Sequence, residues 1–181
     1  MSTQQELAPG TRIGPYEIES TIGIGGMATV YLVHRDDDPR KLALKTLHPH
    51  IAAMPSSVER FLLEARATLA LNHRHVIQVF DVGTAASLPY FVMEVLTGET
   101  LADRLLRSRR MSTEAIADVL LLVVSAVLAA HTAGIVHRDL KPDNVIIARD
   151  AEGERPVLLD FGISKILEGP RSTALTQVGQ V

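Results

Sequence analysis

The sequence predicts an α+β fold in two lobes: a five-stranded antiparallel first lobe carrying one helix, and a helix-led second lobe. Three observations predict it. Short apolar and β-branched segments recur up to residue 95, with one amphipathic helical stretch among them. After Gly98 the pattern turns helical, with a long apolar run over 119–130. Beyond that run lies a polar string, His137-Arg138-Asp139-Leu140-Lys141-Pro142-Asp143-Asn144, and then Asp160-Phe161-Gly162.

The strands are expected over 16–21, 30–34, 41–44, 76–82 and 90–95. The Asp36-Asp37-Asp38-Pro39 cluster supplies a turn between the second and third, and small residues at 85–88 a turn between the last two. The interposed helix begins at Ser56-x-x-Glu59, a capping-box spacing. Val58, Phe61, Leu62, Ala65 and Leu69 then keep helical period, and Glu64 flanks that stripe, where it could point into a cleft. In the second half a short helix is expected over 101–107. A long one follows over 112–133, with Ser112 as N-cap and Gly134 as its stop. Two short strands follow over 145–148 and 156–159. The organisation is a polar leader (1–11), a first lobe (12–95), and a hinge with part of a second lobe (96–181).

Composition excludes several classes. A net charge of −3 and a pI near 6.1 are not those of a broad nucleic-acid footprint. There is no cysteine, hence no disulfide framework and no thiolate chemistry, which agrees with a cytoplasmic location. Residues 1–10 lack the basic-then-apolar pattern of a signal peptide. The 119–130 run is shorter than the ~20 residues of a membrane span and is expected to be a core helix.

The residues that carry chemistry are few. Gly23-Ile24-Gly25-Gly26-Met27-Ala28-Thr29-Val30 lies between two strands, where glycines let backbone amides approach phosphate oxygens; a glycine-rich hairpin turn fits the same residues. Lys45 closes an apolar strand, Leu42-Ala43-Leu44-Lys45. Met93-Glu94-Val95-Leu96 ends the fifth strand. His48-Pro49-His50 and His73-Arg74-His75 have no cysteine beside them and are not expected to bind a metal.

Together these motifs resemble the eukaryotic-type protein kinases, in their bacterial serine/threonine branch. The catalytic string, the Asp-Phe-Gly turn and the Gly-Gly-Met of the glycine loop carry the likeness. It runs over 13–181; Ala28 stands where the family has a third glycine. The resemblance implies a kinase-like two-lobed fold that transfers the γ-phosphate of ATP to protein Ser/Thr hydroxyls. Asp139 would accept or orient the substrate hydroxyl, and Lys141 would stabilise charge on the transferring group. Asn144 and Asp160 would ligate Mg2+, with Mn2+ as an alternative. Ile22, Gly23, Gly25, Val30 and Ala43 would enclose the nucleotide, with Lys45 on its phosphates and paired with Glu64. Met93 would back the adenine pocket, and backbone groups of Glu94 and Leu96 would hold the adenine edge. His137 would orient the catalytic loop, and Arg138 would pair with a phosphorylated activation segment, at Thr173 or Thr176 in preference to Ser172.

The family's Ala-Pro-Glu motif and later helices have no counterpart before Val181. The expectation is therefore a kinase fragment, with a nucleotide-binding interaction module lacking transferase activity as the alternative. The resemblance also implies a protein substrate and allows a homodimer. No nucleic-acid partner and no membrane segment are expected in this chain, though relatives can carry a membrane anchor further along.

Overall fold

The computed structural model describes residues 6–108 and 110–159. The first lobe holds β1 (Arg12–Ile13), β2 (Tyr16–Ile24), β3 (Ala28–Arg35), β4 (Asp38–Leu47), α1 (Pro49–Ala52), α2 (Pro55–Leu69), β5 (Val79–Ala85) and β6 (Leu88–Glu94). The strands form one antiparallel sheet in the order β1-β2-β3-β4-β6-β5. All five expected strands are present. β1 is a sixth, and two residues are too few to show any period.

Alternation along β4 separates the two faces of this sheet. Leu42 and Leu44 join Tyr16, Ile18, Tyr31, Val33, Tyr90 and Val92 on one face. Leu47 joins Ala28, Phe61, Ala65, Val79 and Phe91 on the other, where α2 packs. Ala43 and Lys45 share the parity of Leu47 and so belong to the α2 face.

Local chemistry sets the turns. Arg35 pairs with Asp38, so the β3–β4 turn is Asp36-Asp37 alone, and Asp38 and Pro39 belong to β4 rather than to a four-residue turn. Arg40 donates to the Asp38 carboxylate and holds its pKa down at about 2. The β5–β6 turn is Ala86-Ser87, both left-handed (φ 47° and 66°), the geometry of a two-residue hairpin.

The start of α2 corrects the capping-box expectation. Met54 is the N-cap, with Pro55 in the first turn and no side-chain cap. Proline is pre-set for that first position. Ser56 and Glu59 are thereby placed two positions too far into the helix to cap it. β5 also starts at Val79 rather than Val76, which instead makes a lone parallel bridge to Leu158.

The second lobe holds β7 (Gly98–Thr100), α3 (Leu101–Ser108), α4 (Thr113–Thr132), β8 (Val145–Asp150) and β9 (Gly153–Leu158), with a sheet ordered β7-β8-β9. Ser112 caps α4, its Oγ accepting from the Ala115 N–H at 3.2 Å. Gly134, at φ 76°, ends it. Val123, Ala126 and Ala130 of α4 share a core with Leu71, Val76, Val145, Ile147 and Leu158. Among the described residues the opposite side of α4 is open, with Leu121 69% and Leu128 59% exposed. By length and composition alone α4 could cross a membrane; among the described residues only its face of Val123, Ala126 and Ala130 is covered, against the core around Leu158.

Two features join and brace the lobes. Ile77 N–H donates to Leu158 O, Leu158 N–H donates to His75 O, and Ile77 packs with Ala148 and Val157. In the leader, the Leu7 N–H donates to the Tyr31 hydroxyl at 3.1 Å and Gly10 N–H donates to Ile18 O, pinning the leader on β2 and β3.

Candidate active site

The sheet register gathers one wall of the site. Gly23 lies opposite Val30, Val30 opposite Lys45, and Lys45 opposite Phe91; two residues along, Ala43 lies opposite Met93. Glycine loop, Lys45 and hinge thus follow one another across β2, β3, β4 and β6. Ile22 is half exposed at the rim and Ala43 is buried. The loop closes through Gly25 N–H donating to Ala28 O at 2.9 Å. The chain itself does not demand glycine at 25 or 26. Neither has a left-handed φ; a Cβ on Gly25 would meet only ordinary contact, and one on Gly26 would meet open space.

Lys45 Nζ lies 5.6 Å from the Phe91 ring centroid, within cation–π range. Phe91 in turn packs against Phe61 of α2, ring centroids 5.1 Å apart and the planes tilted by 40°. Glu64 lies on α2 one turn beyond Phe61 and is half-buried. The same helix face therefore reaches toward the Lys45 strand. His48 ties the loop's outgoing arm to the end of β4: its N–H donates to Met27 O, and its Nε2 is 3.0 Å from Thr29 Oγ1 in a buried contact.

At the hinge, Met93 and Leu96 pack together with Ile77, Ala148 and Val157, so the end of β6 sits on the β8–β9 sheet. Glu94 is held at both ends. Its N–H donates to Gln78 O, and its carboxylate accepts from Gln78 N–H at 3.0 Å and from Arg155 Nη2 at 2.9 Å. The Arg155 contact was not legible in the sequence, because 61 residues separate the partners.

The polar string folds into a braced loop. Arg138 adopts φ 59°, a left-handed conformation that costs roughly 1–3 kcal/mol and persists only where the surroundings hold it. The next residue, Asp139, donates its N–H to the His137 carbonyl at 2.8 Å, with the ring Nδ1 at 3.3 Å. Nδ1 therefore accepts, and the ring proton sits on Nε2, which donates to Leu159 O at 3.1 Å. Buried His137 thus anchors the loop to the residue just before Asp160. Pro142–Asn144 form one 3-10 turn. It points the Asn144 amide back at Asp139: Nδ2 donates to the Asp139 carbonyl at 2.8 Å and to its carboxylate at 3.1 Å. Lys141 Nζ stands 3.3 Å from the same carboxylate. With half the lysine side chain exposed, that pair adds little stability, ~0–1 kcal/mol.

The structure therefore brings Asp139, Lys141 and Asn144 into one cluster, and Gly23, Val30, Ala43, Lys45 and Met93 into another. Asp160, Phe161, Gly162, Ser172, Thr173 and Thr176 lie outside the described residues.

Comparison with known proteins agrees with this geometry. Residues 16–180 match the family described as Protein kinase domain. The serine/threonine-protein kinase Pkn1 of Myxococcus xanthus is 37% identical over 166 residues, which cover 91% of this chain and 24% of that protein. Serine/threonine-protein kinase PknJ of Mycobacterium tuberculosis is 36% identical over 177 residues, 97% of this chain and 29% of that one. The crystal structure of the Mycobacterium tuberculosis PknI kinase domain superposes with a TM-score of 0.77 at 29% identity, covering 87% of this chain and 64% of that one. The chain spans about a quarter of the length of these curated relatives. By its sequence match and by its fold, the chain belongs to the protein kinase domain family, in company with bacterial serine/threonine kinases.

Proposed function

We propose that this chain supplies the nucleotide site and catalytic loop of a protein serine/threonine kinase, moving the γ-phosphoryl group of ATP to a Ser or Thr hydroxyl of a protein. The observation that carries the proposal is the Asp139–Lys141–Asn144 cluster. Its carboxylate, ammonium and amide converge within hydrogen-bonding or ion-pairing distance on a loop held by His137.

Each residue has a part. Asp139 accepts or orients the attacking hydroxyl, positioned by the left-handed turn at Arg138. Lys141 offsets charge gathering on the transferred phosphoryl oxygens. Lys45 contacts the α- and β-phosphates and pairs with Glu64, and the glycine loop covers them through backbone N–H groups. Glycines 25 and 26, unneeded by the fold itself, support that close approach. Carbonyl and amide groups of Glu94 and Leu96 hold the adenine edge, with Met93 and Ala43 as apolar walls. The donor set fits a hard divalent cation: the Asn144 amide spends its N–H groups on Asp139, which leaves Oδ1 as an oxygen ligand, and Asp160 adds a carboxylate. Bound there, Mg2+ would neutralise the phosphate oxygens, and Mn2+ suits the same oxygens.

The test is to incubate the intact protein with γ-labelled ATP and a generic protein acceptor, with Mg2+, with Mn2+ or with chelator. Acid-stable label on serine or threonine that disappears with chelator is expected. Nucleotide binding without any transfer to protein would leave only the interaction-module reading.

A further inference from the structure

We propose that Arg155 is a positioning residue for nucleotide binding, a latch that fixes the hinge at Glu94. The inference rests on the reading of Glu94 and Leu96 as the adenine edge of the site. The Arg155 guanidinium uses all of its nitrogens on three separate segments. Nε donates to Asp150 Oδ2 at 3.0 Å, within the β8–β9 hairpin. Nη1 donates to the carbonyl of Arg74 at 2.6 Å, in the loop after α2. Nη2 donates to Glu94 Oε2 at 2.9 Å, at the end of β6. Its side chain is 16% exposed and that of Glu94 is 22% exposed, so both are mostly withdrawn from water.

Planar geometry makes the arrangement specific to arginine, since a lysine ammonium cannot present such a fixed fork to three partners. The latch is closed on the far side by Gln78, whose N–H donates to Glu94 Oε1 while its carbonyl accepts the Glu94 N–H. Both carboxylate oxygens and the backbone N–H of Glu94 are thus committed. What remains of its backbone is the carbonyl, the group that the proposed reading gives to the adenine edge. With the residue held at three points, that carbonyl has one direction before nucleotide arrives, and binding need not pay to order it. Beside it, Ile77 N–H to Leu158 O and Leu158 N–H to His75 O run the same loop along β9, so the latch lies where the two lobes are joined.

The experiment compares Arg155→Met, Glu94→Gln and the double variant in the intact protein, by ATP titration of the transfer rate, with thermal unfolding alongside. The expected result is an ATP KM raised about tenfold in Arg155→Met, the size expected when one partner of a partly buried charged hydrogen bond is removed. The kcat at saturating ATP and the KM for the protein acceptor should stay within about twofold. Glu94→Gln keeps the Gln78 contact and loses the charge, so it should raise the ATP KM by a smaller factor. The double variant should be no worse than Arg155→Met alone. Asp150→Asn, which loosens Arg155 on the side away from the hinge, should change the ATP KM least. A wild-type ATP KM in Arg155→Met, or additive effects in the double variant, overturns the latch. Should Arg155→Met lose its cooperative unfolding transition, Glu94→Gln decides: an unchanged ATP KM there also overturns it. Lys45→Met is the control for the underlying reading. If it takes up and uses ATP as the wild type does, the nucleotide site has been misassigned, whatever the Arg155 variants show.

Discussion

The side-chain amide of Asn144 reaches back five residues and donates to both the backbone carbonyl and the carboxylate of Asp139, at 2.8 and 3.1 Å. The amide therefore has two tasks in the proposed chemistry: it sets the angle of the acceptor carboxylate, and it turns its own oxygen outward. Asn144→Ala removes both. Divalent-metal affinity or transfer rate should fall about 10–100-fold, as for other groups that orient metal ligands. Titration of the rate with Mg2+ checks this; a curve that overlays the wild type would remove Asn144 from the metal site.

Gly98 opens β7 against the backbone of β8. A Cβ there would lie 2.1 Å from the Ile147 carbonyl oxygen, with Ala148 Cα at 3.0 Å. No side chain can swing away to relieve this, since the obstacles are main-chain atoms. Gly98→Ala should part β7 from β8 at a cost of about 1–3 kcal/mol, the range for overpacking. Denaturant unfolding measures it, and an unchanged midpoint would show that the strands can separate freely.

The Ala86-Ser87 turn runs the other way. Both residues sit in the left-handed region, where a type I′ turn prefers Asn-Gly. Ala86→Asn with Ser87→Gly should stabilise the chain by roughly 0.5–2 kcal/mol, as better turn chemistry commonly does. Since the turn lies at the far end of β5 and β6 from Glu94, ATP affinity should not change. A lower melting temperature in the double variant would contradict the turn assignment.

Acid should loosen the second lobe through Glu154. Arg104 and then Arg149 donate to its carboxylate and hold its pKa down at about 2, against an ordinary value of 4.5. A carboxylate depressed in the folded state contributes stability above its unfolded pKa, and that contribution fades as pH falls from about 4.5 toward 2. Glu154→Gln should therefore flatten the melting-temperature profile in that window. Because the side chain is 43% exposed, solvent screens the pair and the flattening should be modest, and smaller still at high salt. Identical acid limbs for variant and wild type would exclude Glu154 as a contributor.

Much of this was legible in the sequence where the signal was local. Ser112 and Gly134 bracket α4 because a cap and a left-handed stop act within one turn of the chain. The string from His137 to Asn144 was legible as one loop because Asp139 and Asn144 bond across only five residues, whereas the anchor of His137 on Leu159 is a tertiary contact. The start of α2 was not, because Pro55 competes with the Ser56 box and wins through its fixed φ. β1 and β7, two and three residues long, exist only because β2 and β8 offer edges to pair with. Glu94 was legible as the end of a strand, but its hold on Arg155 is a tertiary fact.

The most direct test of the account is the Asp139→Asn variant. The substitution keeps the side-chain shape and removes the carboxylate on which Lys141 and Asn144 converge. Phosphoryl transfer from ATP to a protein acceptor should drop by about 10²–10⁴-fold with nucleotide affinity retained, the range for loss of a general base. Transfer at the wild-type rate in that variant would contradict the assignment of this loop as the catalytic one.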